Sequence, residues 1–371
     1  MADKGKVRKM FPGGNTTKGP YFLFEHMIAP AVNRVFIIKG GPGTGKSTFM
    51  NSISSELVDR GYDVEHFHCA SDPDSLDGLV VPALGVALLD GTAPHIFDPR
   101  IAGAVDEIVN LGDYWDVSVL ESHRIEIKQI EKKGSMHFKT AFHLLKQAKL
   151  AYEQWKWYVE ESIDHVKYNR ILSMLKERVL EGIVPIYETV PTVRHMFSSA
   201  LTPKGMIDYK ETLIDMDMKV YTIKGQPGTG VKEMIERIAM AAEEIGLSTE
   251  QYHCPIETDK LDLLIIPAVK IAVINSSQPY HFDPGNIGGI NIVDEIDLDI
   301  CIQKNILNEY EEERKQAEQR FNDLLYGAMS HLTKAKEAHG EREKYYVKAM
   351  DYKKIGEKRN EILLRILSYA Y

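Results

Sequence analysis

The chain has 371 residues, too many for one ordinary core and enough for two at roughly 100–200 residues per domain. It is 44% hydrophobic and 27% charged, a globular composition, and 45 basic against 54 acidic side chains leave a net charge of −9, which excludes wholesale binding to nucleic acid or an anionic membrane. Three cysteines cannot build a disulfide framework, the stretch Met1–Lys9 is polar and basic, and no apolar run approaches the ~20 residues of a membrane span. A cytoplasmic protein with no membrane partner is expected.

In chain order, Val35–Ile38 reads as an apolar strand, Gly40–Ser47 as a glycine loop and Ser47–Arg60 as a helix. Strand Val64–His68 follows, then a turn-rich Ser71–Gly78, then an apolar strand Val86–Leu89 that ends on Asp90. Residues 118–182 read as helix, with Leu144, Leu145, Ala148, Tyr152 and Trp155 at helical spacing and no proline between Val117 and Val184. Two helices folded as a hairpin are predicted there, rather than one rod.

The pattern then starts again. Shifted by 185, Val35–Pro99 lies on Val220–Pro284 without a gap and with 24 identities in 65 positions. The match extends upstream, Met10–Gly19 onto Met196–Gly205, and downstream, Val105–Ile108 onto Val293–Ile296. Two tandem α/β units result, 8–190 and 194–371, each with a mainly parallel sheet and a helical extension, about 118–182 and 303–371. An internal pseudo-dimer is expected. Residues 123–180 carry 12 basic and 7 acidic side chains and residues 303–371 carry 14 and 12, which leaves −16 for the rest. Those helices present either solvated faces with interleaved charge or a docking surface for a protein or nucleic acid.

Gly40-Gly41-Pro42-Gly43-Thr44-Gly45-Lys46-Ser47 satisfies G-x-x-x-x-G-K-[ST] between a predicted strand and a predicted helix, with Thr48 next in line. Glycines let successive N–H groups turn onto an anion, and the helix adds its positive end. Lys46 is expected on the β- and γ-phosphates, the Ser47 hydroxyl on Mg²⁺, and Asp90 on the same ion, because a hard cation takes oxygen ligands. In the second unit the loop reads Gly225-Gln226-Pro227-Gly228-Thr229-Gly230-Val231-Lys232, so Val231 replaces the lysine and Lys232 the serine, while Asn275 replaces Asp90. The shaping glycines stay and three chemistry-bearing positions change together. Lys232, one place late, is left with a role toward some anion.

Other constellations are less specific. Thr92 and His95, past the strand that ends on Asp90, are candidates for the γ-phosphate or a second substrate, and His95 is counted as catalytic with Lys46 and Asp90. Asp98 recurs in both units and reads as a turn residue before Pro99. Asp72–Asp77 is either a substrate loop or an Asp-rich turn. Asp106-Glu107 is a helix-start carboxylate pair or a base for water, and His66-Phe67-His68-Cys69 a buried strand end rather than a metal cluster. No Asn/Thr-Lys-x-Asp guanine signature follows the loop, which favours ATP, and no Leu-Ser-Gly-Gly-Gln motif is present.

The loop matches the P-loop NTPase superfamily. Together with the degenerate second loop and Asp90-Gly91-Thr92-Ala93-Pro94-His95, the chain resembles a tandem-duplicated, largely uncharacterised Firmicute-type family of bacterial P-loop ATPases. The resemblance implies a P-loop NTPase-like fold in each unit and binding of ATP with Mg²⁺ at Gly40, Gly45, Lys46 and Ser47. The expected function is ATP hydrolysis in the first unit with the second as structural or regulatory partner. Two other readings compete. One is a kinase that moves the γ-phosphate to a small molecule held by Asp72–Asp77 or Thr92–His95. The other is a non-catalytic nucleotide-sensing scaffold that signals through the basic helices.

Overall fold

The computed structural model describes residues 4–28, 32–93, 96–186, 190–277, 282 and 288–370. The first unit contributes strands β1 (Val7–Met10), β2 (Gly13–Thr16), β3 (Gly19–Phe22), β4 (Arg34–Lys39), β5 (Val64–His68), β6 (Leu76–Val81), β7 (Val86–Asp90) and β8 (Asp106–Asn110). Its helices are α1 (Lys46–Asp59), α2 (Val117–Ser122), α3 (Arg124–Glu160) and α4 (His165–Val179). The second unit repeats the plan with β9 (Val193–Met196), β10 (Ser199–Thr202), β11 (Gly205–Asp208), β12 (Lys219–Lys224), β13 (Thr249–His253), β14 (Leu261–Ile266), β15 (Ile271–Asn275) and β16 (Asn291–Asp297). Its helices are α5 (Lys210–Leu213), α6 (Val231–Glu244), α7 (Lys304–Asn308), α8 (Glu311–Ala349) and α9 (Tyr352–Leu367).

Each unit builds a mixed six-stranded sheet, ordered β1-β5-β6-β7-β4-β8 in the first and β16-β12-β15-β14-β13-β9 in the second. In the first sheet only β6 runs against the others. The turn expected over Ser71–Gly78 is therefore too long. Its last residues open β6, because Leu76 and Leu79–Val81 are apolar, with Leu76 paired to β5, Leu79 and Val80 to both β5 and β7, and Val81 to β7.

The two sheets pack face to face. Val35, Ile37, Ala87 and Leu89 of the first meet Val220, Leu263, Ala272 and Ile274 of the second in one core. The alternate residues, Phe36, Ile38, Leu79 and Leu88, face helices instead. Strands buried on both faces explain why the sequence reads as continuous apolar runs rather than alternation. A small antiparallel sheet, ordered β11-β10-β2-β3, joins the units at Leu201 and Asn15. Phe11 and Phe197, equivalent positions of the two copies, exchange backbone hydrogen bonds of 2.9 and 3.0 Å and so lie on the pseudo-two-fold axis.

The helical extensions are not hairpins within their own units. The rod α3, roughly 55 Å long at 1.5 Å per residue, runs antiparallel to α8 of the other unit, with Gly134 beside Ala338 and Tyr152 beside Phe321. Buried positions Ala141, Leu145, Ala148, Tyr152, Trp155 and Val159 step by four and three, a coiled-coil seam that needs a second rod of equal length. The shorter helices then cross over. Ile355, Ile362 and Ile366 of α9 cover the first unit's sheet beside α1, while Leu175 and Val179 of α4 cover the second unit's sheet beside α6. Each unit's outer core is completed by the other unit's last helix. Among the described residues no helix is long and apolar enough to cross a membrane.

Candidate functional site

The parallel neighbours β4 and β7 carry the first site to one sheet edge, where β4 runs into the glycine loop and β7 ends on Asp90. Gly43 and Gly45 adopt φ of 68° and 84°, values that penalise any side chain, so the loop's shape depends on glycine there. Helix α1 starts at Lys46 with no side-chain cap and no acidic residue in its first turn. No acidic side chain of its own first turn competes for its first N–H groups. Lys46 Nζ donates to the Gly40 and Gly41 carbonyls, each at 2.9 Å, and lies 3.6 Å from Asp90 Oδ2. Asp90 Oδ1 accepts from the Thr92 amide at 2.8 Å, and the Thr92 hydroxyl donates to Gly40 O at 2.8 Å. Ser47 Oγ accepts from the Leu76 amide at 3.1 Å and from Asn51 Nδ2 at 3.2 Å. Gly40 to Ser47, Asp90 and Thr92 thus form one cluster, with Thr48 exposed on the first turn of α1. His95 lies outside the described residues.

Elements of the second unit sit on this loop. A Cβ on Gly41 would meet Tyr346 at 2.7 Å, and one on Gly43 would meet the Glu343 carbonyl at 3.0 Å. The Tyr352 hydroxyl donates to Gly43 O at 2.8 Å. These contacts come from α8 and α9, and nothing in the sequence marks them.

The second loop keeps the backbone form, with Gly228 and Gly230 at φ 100° and 89°. It is built differently in charge. Val231 is buried in the core, and Glu233 stands in the first turn of α6. Lys232 Nζ donates to Glu257 Oε2 at 2.8 Å and lies 3.1 Å from Cys254 Sγ and 3.4 Å from the Tyr152 hydroxyl. Lys156 of α3 donates to the other Glu257 oxygen at 2.6 Å. Burial pushes the Glu257 carboxyl up, but the two ammonium groups outweigh it and hold the pKa at about 2. The anion that Lys232 meets is thus an internal carboxylate. The main chain of Lys156 covers this loop so closely that a Cβ on Gly228 would stand 2.5 Å from its carbonyl.

The remaining candidates are structural in their contacts. Asp74 pairs with Lys204 of the other unit and Asp259 with Lys18, equivalent clasps across the axis. Asp72 pairs with Lys336 of α8 at 2.6 Å. Asp98 is exposed, 3.8 Å from Lys39. Asp106-Glu107 opens strand β8, not a helix, because the segment adds a parallel strand beside β4. Asp106 accepts from the Arg100 and Ile101 amides, and Glu107 is gripped by Arg365 of α9, which holds its carboxyl below the usual range. His66 contacts Ser54 Oγ at 2.6 Å and His68 the Pro73 carbonyl at 2.9 Å. Among the described residues no group of three His, Cys, Asp or Glu is placed to hold a metal.

A half-buried charged quartet crosses the axis. Arg194 makes a two-pronged pair with Glu65 at 2.7 and 2.6 Å, and Arg8 one with Glu250 at 3.2 and 2.5 Å. Arg8 also reaches Glu65 at 3.2 Å. No protein-family model, curated protein or solved structure matches the chain.

Proposed function

We propose that each unit is a P-loop NTPase-like domain, that the first binds Mg²⁺-ATP at Gly40–Ser47 and hydrolyses it, and that the second is a structural partner covering the same loop. The observation that carries this reading is the contrast between equivalent positions. In the first unit a lysine, a hydroxyl, a strand-end carboxylate and an uncapped helix N-terminus converge on one glycine loop. In the second unit the helix start carries its own carboxylate, and the displaced lysine is neutralised from within.

The donor set suits magnesium, since Ser47 and Asp90 offer hard oxygens. Bound there, the ion would neutralise charge on the phosphate oxygens. Lys46 exchanges its carbonyl contacts for the β- and γ-phosphates, and the loop's N–H groups with the first turn of α1 hold the remaining oxygens. Thr92 fixes Asp90 and Gly40 relative to one another and so keeps metal and phosphate sites in register. Positioning and charge neutralisation are most of what phosphoryl transfer needs.

The test is Mg²⁺-dependent ATP binding and phosphate release by the wild type beside Lys46→Ala and Asp90→Asn. Turnover that disappears in both variants supports an ATPase. Tight binding without turnover points instead to a kinase lacking its acceptor or to a sensor, and absence of binding overturns the reading.

A further inference from the structure

A cavity of about 490 Å³ lies between α4 and α6 and reaches the second loop at Gly228–Gly230. Its size falls within the roughly 300–1,000 Å³ of small-molecule sites. Ile163, Leu172, Met240 and the ring of Tyr168 give it apolar walls. Its charges are sorted. Lys260 stands between two carboxylates, 3.2 Å from Glu233 and 3.0 Å from Glu236, so that wall keeps one negative charge in excess. Burial pushes the Glu236 carboxyl up, and Lys260 opposes the rise without cancelling it. Arg237 is set roughly 100° further round α6 and lies near the Tyr168 hydroxyl of α4. Among the described residues its guanidinium has no hydrogen-bond or ion-pair partner.

The first unit shows that this chemistry is not a remnant of a nucleotide site. At the shift of 185, Glu233, Glu236, Arg237 and Lys260 stand where the first unit has Thr48, Asn51, Ser52 and Ser75. There Arg359 of α9 reaches across and donates to Ser52 Oγ at 3.0 Å. Counted from the equivalent caps Asp351 and Asp164, the counterpart of Arg359 on α4 is Leu172. In the second unit the guanidinium has therefore moved to α6, and the facing helix has become apolar. Glu233 and Glu236 outnumber Lys260 and repel a phosphate chain. A carboxylate, by contrast, finds a two-pronged partner in Arg237, and an ammonium finds the glutamate wall.

We infer that the cavity binds a small zwitterion of the amino-acid or short-peptide class, with its carboxylate on Arg237, its ammonium on Glu233 and Glu236, and its apolar body against Leu172, Met240 and Tyr168. The site is separate from the Mg²⁺-ATP reading and lies in the unit that reading leaves without a ligand.

The test titrates L-leucine and leucyl-leucine by calorimetry into the full chain, as wild type and as Arg237→Met, Glu236→Gln and Leu172→Arg. Leucinamide, which lacks the carboxylate, and N-acetyl-leucine, which lacks the ammonium, are the truncated probes. Leucine or leucyl-leucine should bind, the tighter of the two identifying the source, and each truncated probe should bind at least about tenfold more weakly. Arg237→Met should weaken the zwitterion by a similar factor and leave leucinamide unchanged. Glu236→Gln should weaken it too and leave N-acetyl-leucine unchanged. Leu172→Arg fills the space and should abolish binding. Thermal melts separate lost binding from misfolding, and the exposed Arg237 keeps the question answerable if Leu172→Arg does not fold. Absence of binding by both zwitterions, or binding that Arg237→Met and Leu172→Arg leave intact, would overturn the assignment. A second ATP per chain that disappears in Leu172→Arg would give the cavity to a nucleotide and overturn it equally.

Discussion

The hydroxyl of Tyr352, near the end of the chain, donates to the carbonyl of Gly43, 309 residues earlier, at 2.8 Å. One neutral hydrogen bond is worth about 1 kcal/mol net, and this one fixes the third glycine of a loop read as a phosphate cradle. Tyr352→Phe should therefore weaken ATP binding by up to about fivefold without altering the fold, as calorimetric titration of both proteins would measure.

The second loop has Val231 in place of the lysine, and its displaced Lys232 is neutralised by Glu257, so binding should saturate at one ATP per chain. Lys232→Met removes one of the two cations on a buried carboxylate. Breaking such a pair costs about 3–5 kcal/mol. Urea denaturation should reveal that loss while the ATP stoichiometry stays at one.

The quartet Arg8–Glu65–Arg194–Glu250 sits between the two sheets. Arg194→Met leaves Glu65 with Arg8 as its remaining partner, 3.2 Å away and already committed to Glu250. Glu65 is buried and both arginines are part-exposed, so a destabilisation of about 1.5–3 kcal/mol is expected for the lost charged hydrogen bonds, with a modest decrease at high salt. Denaturation midpoints at two ionic strengths check both parts.

Burial lowers the pKa of His66 and His253 from 6.5 to about 4. The folded protein holds both rings neutral where the unfolded chain protonates them. Their contribution is complete above pH 6.5 and is lost as pH falls toward about 4, at about 1.4 kcal/mol per pH unit for each ring. Thermal melts from pH 7 to 4 should decline, and His66→Gln should make that decline shallower.

Ile362, fully buried, belongs by sequence to the second unit and by packing to the first. Ile362→Ala should cost about 2–5 kcal/mol. Hydrogen exchange should report the loss in α1 and β4 rather than in α6 and β12, the opposite of what chain order suggests.

Much of this architecture is legible in the sequence, for identifiable reasons. The strand Val64–His68 has its predicted limits, and Val86–Leu89 lacks only Asp90, because apolar strands flanked by turns are local signals. The repeat exposes the loop and its altered copy, since equivalent residues can be compared within one chain. The partner of α3 is not readable, because a heptad seam states that a second rod is needed and not which one. Strand β6 is obscured by Asp77 and Gly78, residues that favour turns when read locally and are held in a strand by neighbours on both sides.

The exchange of the last helices also fixes when the molecule can finish folding. By Asn110 the strands of the first sheet have all been made, yet α9, with Ile355, Ile362 and Ile366, begins only at Tyr352. Each of those isoleucines is worth roughly 1.5–3 kcal/mol on burial, a total comparable to the whole net stability of a domain. At about 5–20 residues per second of synthesis, the first sheet waits on the order of ten seconds or more with that face uncovered. The first unit therefore cannot complete its outer core before α9 has been made, and until then that apolar face stays open to other partners.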